Sequence, residues 1–149
     1  MNIAIGCDEA AYDLKLIVKA QLEGLGHTVA DFGTLDGAPV LYPDIAAAAA
    51  RSIVAGANER GILLCGTGIG MAISANKIRG IRAAQCHDTY SAERAQKSNN
   101  AQIITIGARV VGPELAKAIV DAYLRSSFQP GSSSPKVARI DALEQLSII

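Results

Sequence analysis

The chain has 149 residues and half of them are hydrophobic, so it can bury one core but is too short for two ordinary domains. Fourteen basic and fourteen acidic residues balance, and aromatic residues are few, which argues against nucleic-acid binding and against an anionic membrane surface. No apolar run approaches the ~20 residues that span a bilayer, and the N-terminal residues do not resemble a signal peptide. We therefore predict one domain over residues 1–149 in a soluble, cytoplasmic protein.

Short apolar runs rich in β-formers alternate with stretches of helical period, a pattern typical of βαβ units that build a parallel sheet. The predicted strands are Ile3–Cys7, Thr28–Phe32, Gly61–Cys65, Ile81–Cys86 and Gln102–Ile106. The predicted helices are Tyr12–Leu25, Pro43–Ala55, Gly70–Lys77, Tyr90–Lys97 and Pro113–Ser126. First-turn prolines at 43 and 113 and capping glycines at 26 and 56 support these bounds. The predicted fold class is α/β, a doubly wound, Rossmann-like, three-layer domain with a five-stranded parallel sheet.

An extra helix is predicted at the C-terminus. Residues 130–135 form a turn-rich connector, and Ser134 followed by Pro135 fits an N-cap and a first helical position. Apolar residues then recur every three positions, at Val137, Ile140, Leu143 and Leu146. Such a stripe needs a surface to pack on, either this sheet or a second subunit.

In an open parallel sheet, ligands bind beyond the carboxyl ends of the strands, near the point where strand order reverses. These ends carry chemically active residues: Cys7-Asp8-Glu9, Cys65 to Gly70, Cys86-His87-Asp88 and Gly107-Ala108-Arg109. We therefore expect thiol, carboxylate, imidazole and guanidinium groups to share one edge with a glycine-rich loop.

The loop contains Gly66, Gly68 and Gly70, which allow backbone N–H groups to point inward at the start of a helix and hold a phosphate or an oxyanion. A tight strand-to-helix turn is the alternative interpretation. The dinucleotide fingerprint does not fit, because this loop follows the third strand and Met71 replaces the last glycine. The phosphate-loop motif does not fit either, because no Lys-Ser or Lys-Thr pair follows.

Cys65 directly precedes this loop, a setting that favours the thiolate as a base or nucleophile. Cys7 and Cys86 are interpreted as buried strand cysteines, and the lack of CxxC spacing argues against a disulfide framework. A cysteine phosphatase would need an arginine in the loop, and a receiver domain would need an aspartate at position 65. A metal site built from the three cysteines and His87 is disfavoured by their separated spacing.

The other polar strand-end residues each have two interpretations. Asp8 and Glu9 are either site carboxylates or favourable charges at a helix N-terminus. Asp88 is either a site residue or an N-cap, and His87 is either a surface residue or a proton carrier near neutral pH. Arg109 is either a surface charge or a bidentate phosphate ligand.

The whole set resembles the family that contains type B ribose-5-phosphate isomerases and galactose-6-phosphate isomerase subunits, over nearly the entire chain. The matching motifs are Gly6-Cys7-Asp8 with Leu14-Lys15, Tyr42-Pro43-Asp44, Cys65 to Gly70 continuing through Ala75-Asn76-Lys77 to Gly80-Ile81-Arg82-Ala83, and Gly107 to Gly112. The resemblance implies an enzyme without metal or cofactor, a homodimer or tetramer with active sites shared between subunits, and a cis-enediolate intermediate.

The resemblance also implies roles for particular residues. Cys65 would move the proton between C1 and C2, since Met71 stands where some relatives have a glutamate base. Asp8 would orient sugar hydroxyls, and Arg109 would hold the phosphate across the subunit boundary. The enediolate oxygen would be stabilised by the Thr67 hydroxyl and by the amides of Gly66, Gly68, Ile69 and Gly70. Further candidate substrate contacts are Glu9, Tyr42, His87, Asn99 and Lys136.

Three positions depart from the ribose-5-phosphate isomerase pattern. Glu9 and Ser98 stand where many of those enzymes have histidines, the second of them linked to ring opening, and Lys136 supplies a point charge in place of an arginine fork. A tetrose 4-phosphate cannot close a five- or six-membered ring, so it needs no ring-opening histidine. The sequence therefore predicts an aldose-ketose isomerase of the ribose 5-phosphate type, with a four-carbon substrate such as erythrulose 4-phosphate as a further hypothesis. The alternatives are a non-catalytic phosphometabolite-binding module and a nucleotide-binding domain.

Overall fold

The computed structural model describes residues 1–146 and contains one parallel sheet. Its strands are β1 (Asn2–Cys7), β2 (Thr28–Asp31), β3 (Arg60–Cys65), β4 (Ala83–Gln85) and β5 (Ile103–Gly107). Their spatial order is β2-β1-β3-β5-β4, and every neighbouring pair is parallel. The chain leaves β1 toward one edge and β3 toward the other, so strand order reverses between β1 and β3. The predicted doubly wound, five-stranded parallel sheet is confirmed.

All six predicted helices are present among the described residues. They are α1 (Tyr12–Gly24), α2 (Tyr42–Val54), α3 (Ile69–Ala75), α4 (Thr89–Lys97), α5 (Pro113–Leu124) and α6 (Ser134–Leu146), and a 3-10 turn at Glu9–Ala11 precedes α1. Pro43 and Pro113 lie in first turns, and Gly26 and Gly56 follow α1 and α2 with φ of 86° and 78°, as the sequence predicts. None of these helices is long and apolar enough to cross a bilayer.

The core has two halves because alternate strand residues face opposite sides of the sheet. Ile3 and Ile5 of β1 pack with α1, α4 and α5, whereas Ala4 packs with α2 and α3. The buried alanines 46, 49 and 50 let α2 lie close to the sheet. Cys65 faces the side of α2 and α3, which places its thiol beside the start of α3.

The fourth strand and the third helix are shorter than predicted. The Asn76 side chain bonds both backbone groups of Ala83, at 2.8 and 2.9 Å. This contact holds the start of β4 and turns the chain out of α3 at Ala75, two residues before the predicted end. As an edge strand with one partner, β4 pairs over only three residues.

The C-terminal helix is held mainly by polar contacts. Of its predicted apolar stripe only Val137 is buried, and the other three residues are 39–53% exposed. Arg82 pairs with Asp141 at 2.7 Å, and the Gly80 amide donates to the Glu144 carboxylate. The chain therefore covers one residue of the stripe and leaves the rest at its surface.

Candidate active site

Cys65 ends β3 at the crevice where strand order reverses. Its side chain is buried, and the backbone N–H of Gly68 donates to its Sγ at 3.1 Å. Gly68 has φ of 77°, a left-handed conformation that favours glycine and turns this amide back toward the sulfur. An N–H donor aimed at sulfur stabilises a thiolate more than a thiol. Because α3 has only seven residues, this individual amide matters more here than the helix dipole.

The loop at residues 66–70 is supported from the neighbouring strands. The Thr105 hydroxyl donates to the Gly68 carbonyl at 2.8 Å, and the Gln85 side-chain amide donates to the Thr67 carbonyl at 2.7 Å. Gly107 lies directly under Thr67, since a Cβ at position 107 would stand 2.7 Å from the Thr67 Cα. Gln85 and Thr105 were missed in the sequence, where the only signal is a polar residue in a short apolar strand.

Thr67, Ile69, Gly70 and Tyr42 also meet at this loop. The Ile69 amide donates to the Thr67 hydroxyl oxygen at 3.3 Å, which leaves the hydroxyl proton available for donation. The Tyr42 ring lies so close to Gly70 that any side chain at position 70 would overlap it. The Gly68 amide already donates to the Cys65 sulfur and the Ile69 amide to the Thr67 hydroxyl. To stabilise an enediolate oxygen, as predicted, both amides must give up these bonds when substrate binds.

Asp8 and Arg109 reach the same crevice from the ends of β1 and β5. The Arg109 amide donates to the Gly66 carbonyl at 3.0 Å, and a Cβ at position 66 would lie 3.3 Å from the guanidinium Nη1. Burial, and then the charge of Glu9, raise the pKa of Asp8, while the charge of Arg109 opposes that shift. Arg109 therefore lies over the loop of its own chain, and its predicted contact with phosphate across a subunit boundary stays a prediction.

Glu9 and His87 are fixed by backbone contacts. The Val40 amide donates to the Glu9 carboxylate at 3.3 Å, so Glu9 holds the segment before α2 at the site. The Gly107 amide donates to Nε2 of His87 at 2.9 Å, which assigns the ring proton of the neutral imidazole to Nδ1. His87 thus supports the end of β5, whereas its predicted contact with substrate stays a prediction.

The remaining strand-end residues have structural roles. Asp88 caps α4 by accepting from the Ser91 amide and hydroxyl, at 2.6 and 2.7 Å, which is the N-cap alternative. Burial raises the pKa of Cys7 to about 11 and that of Cys86 to about 12, as expected for inert strand thiols. Among the described residues no group of three or more His, Cys, Asp or Glu side chains is placed to hold a metal ion.

Asn99 and Cys65 lie at opposite ends of the strands within one chain. Asn99 precedes β5, at the amino-terminal ends of the strands. It lines a cavity of about 440 Å³ with Arg82 and Glu144. Lys136 is in the first turn of α6. Asp141, further along this helix, pairs with Arg82 just before β4. A single chain therefore does not bring Asn99 to the thiol, and the predicted contact of Lys136 with substrate stays a prediction.

The parallel sheet defines a Rossmann-like α/β protein, and Cys65 and the glycine-rich loop lie at its crevice. Residues 3–140 match the family model described as Ribose/Galactose Isomerase. D-erythrulose-4-phosphate isomerase of Pectobacterium atrosepticum is 57% identical over 97% of this chain and 95% of its own length. Ribose-5-P isomerase B of Listeria innocua is 52% identical over 97% and 98%. The structure of Clostridium thermocellum ribose-5-phosphate isomerase B superposes with a TM-score of 0.97 at 41% identity, over 99% of both chains. The chain belongs to the ribose/galactose isomerase family, as the motifs predicted.

Proposed function

We propose that this chain interconverts the aldose and ketose forms of a short phosphorylated sugar, with Cys65 as the base. Family membership supports the reaction class, and the contact between the Gly68 amide and the Cys65 sulfur carries the assignment of the base. The thiolate removes the proton from the carbon beside the carbonyl and forms a cis-enediolate. The thiol then returns the proton to the adjacent carbon while the hydroxyl proton passes from one enediolate oxygen to the other, so the carbonyl changes place and no oxidant or reductant is needed.

The other site residues have distinct roles in this scheme. The Thr67 hydroxyl and the amides of the loop at residues 66–70 stabilise the negative oxygen of the enediolate. Asp8 accepts hydrogen bonds from sugar hydroxyls, and Tyr42 forms the wall beside Gly70. Arg109 holds the phosphate with its planar fork, and its place over Gly66 supports this role.

We propose a tetrose 4-phosphate as the preferred substrate, with ribose 5-phosphate as the second candidate. Ser98 stands where the family resemblance places a ring-opening histidine, and an open-chain tetrose needs no such group. The relative from Pectobacterium atrosepticum, named as a D-erythrulose-4-phosphate isomerase, supports the four-carbon substrate. The Listeria innocua relative, named as a ribose-5-P isomerase, supports the five-carbon one.

We also propose that the chain works as a homodimer or tetramer with shared sites. Asn99 lies at the start of β5 and Cys65 at the end of β3, so one chain holds them at opposite ends of the strands, and the partly exposed Ile140 and Leu143 of α6 offer apolar surface beside Asn99. Light scattering measures the oligomeric state. Mixing Cys65→Ser chains with Lys136→Ala chains should restore activity if each site uses both subunits, and no restoration would argue for sites within one chain.

The main test is an aldose-ketose assay with four-, five- and six-carbon sugar phosphates. Cys65→Ser should lower kcat by about a thousandfold or more while ligand binding is retained. Cys86→Ser is the matched control, because it replaces a buried strand cysteine outside the loop and should keep its activity. Turnover unaffected by Cys65→Ser would exclude the proposed base, and no turnover with any sugar would favour the phosphometabolite-binding module. Faster turnover of ribose 5-phosphate than of a tetrose would reverse the substrate order.

A further inference from the structure

The peptide group between Thr67 and Gly68 has partners at both ends. Its N–H donates to the Cys65 sulfur at 3.1 Å, and its carbonyl accepts from the side-chain amide of Gln85 at 2.7 Å. A peptide group is planar, so fixing the carbonyl direction also fixes the N–H direction. Gln85 therefore acts on the geometry at Cys65 through one rigid unit.

Gln85 reaches this peptide from two strands away. It is the last residue of β4, and β5 lies between β4 and β3. The loop after β3 passes over the end of β5 because Gly107 has no side chain there. The Gln85 side chain is exposed, and its backbone pairs with Thr105 in the sheet. Its side-chain contact is thus directed to the loop and adds nothing to the apolar core.

The peptide needs such a partner because glycine follows it. Without a Cβ, Gly68 permits rotations of the Thr67–Gly68 plane that other residues would prevent. The Thr105 hydroxyl holds the next carbonyl, that of Gly68, and leaves the preceding plane to Gln85. A donor on the Thr67 carbonyl also polarises the peptide and strengthens its N–H as a donor.

We infer that Gln85 is a positioning residue for Cys65: it holds the Thr67–Gly68 peptide so that, before substrate binds, the N–H lies on the sulfur and favours the thiolate. This inference rests on the proposed role of Cys65 as the base. The competing explanation is that Gln85 only strengthens the edge of the sheet. A readout on the thiol separates the two when Gln85 is compared with a glutamine that bonds elsewhere in the sheet. Because Cys65 is buried, a loss of stability alone would change its labelling rate in both variants alike.

The test compares Gln85→Met with Gln102→Met. Methionine has a similar length and no hydrogen-bond donor. Gln102 lies just before β5, at the other end of the strands from the loop, and donates to the Gly80 carbonyl at 2.8 Å. Iodoacetamide labelling of Cys65 is followed by mass spectrometry between about pH 6 and pH 9, where thiolate formation controls the rate. Peptide mapping separates Cys65 from Cys7 and Cys86, and Cys65→Ser serves as the blank.

In Gln85→Met the rate of Cys65 labelling near neutral pH should fall about threefold to tenfold. The kcat for the sugar phosphate should fall by a similar factor with little change in KM, whereas Gln102→Met should match the wild type in both readouts. A Gln85→Met profile identical to the wild type would overturn the inference, and so would equal shifts in both variants. Labelling requires no turnover, so this result stands even if the chain proves inactive on every sugar.

Discussion

Replacing Gly107 with alanine would place a methyl group where the Thr67 backbone now lies. An ideal Cβ at position 107 stands 2.7 Å from the Thr67 Cα and carbonyl carbon, whereas ordinary contacts begin at 3.4 Å. Thr67 must therefore move by about 0.7 Å, and it has little freedom to do so because its own carbonyl is bonded to β4 and that of Gly68 is bonded to β5.

This displacement should change both stability and turnover. Overpacking of this kind costs about 1–3 kcal/mol, and each kcal/mol lowers the Tm of a chain of this size by about 2–4 °C. A misplacement approaching 1 Å at a catalytic group reduces turnover by up to about a hundredfold. We therefore expect Gly107→Ala to fold with a lower Tm and to lose about tenfold to a hundredfold in kcat.

Thermal unfolding and steady-state isomerisation measure the two effects, and Gly24→Ala is the control. Gly24 ends α1, and a Cβ there would meet no atom within 4 Å. Gly24→Ala should keep its activity and gain up to about 1 kcal/mol in stability, because alanine is the better helix former. Wild-type kcat in Gly107→Ala would refute the coupling between the end of β5 and the loop.

Two further predictions concern charged residues. Asp31→Asn should lower the free energy of unfolding by about 3–5 kcal/mol in urea at neutral pH, because it leaves the fully buried Lys15 without its charged partner. Burial raises the pKa of Asp31, but hydrogen bonds from Lys15 and the Gly33 amide and the charge of Lys15 outweigh it and lower the pKa overall. The stability that Asp31 contributes is therefore complete above the ordinary carboxyl pKa and is lost as pH falls through the lowered value. The difference in unfolding free energy between wild type and variant should narrow as pH falls below the ordinary carboxyl pKa, and a difference independent of pH would contradict this. Arg109→Lys keeps the charge but loses the fork, so KM should rise about tenfold with kcat within about twofold, and Arg109→Met should raise KM further. An unchanged KM in Arg109→Met would mean that the phosphate binds elsewhere.

Much of the fold follows from local signals in the sequence. Runs of β-branched residues, first-turn prolines and capping glycines act within a few residues, so the element types and most bounds were predicted. The placement of the strand-end residues was predicted for the same reason, since Cys65 ends a recognisable strand and Asp8 and Arg109 follow one. The length of β4 was overestimated because pairing at a sheet edge depends on a partner that periodicity does not reveal.

The amino-acid sequence by itself thus determined the α/β class, the family motifs and a thiol at the end of β3. Only the tertiary structure placed β5 between β3 and β4, and this order lets the loop cross Gly107 and meet Gln85. It also separated Asn99 from Cys65, because the first precedes β5 and the second ends β3, at opposite ends of the parallel strands. The physical reason is range: helix and strand formation depend on near neighbours, whereas strand order depends on which distant surfaces bury best against each other.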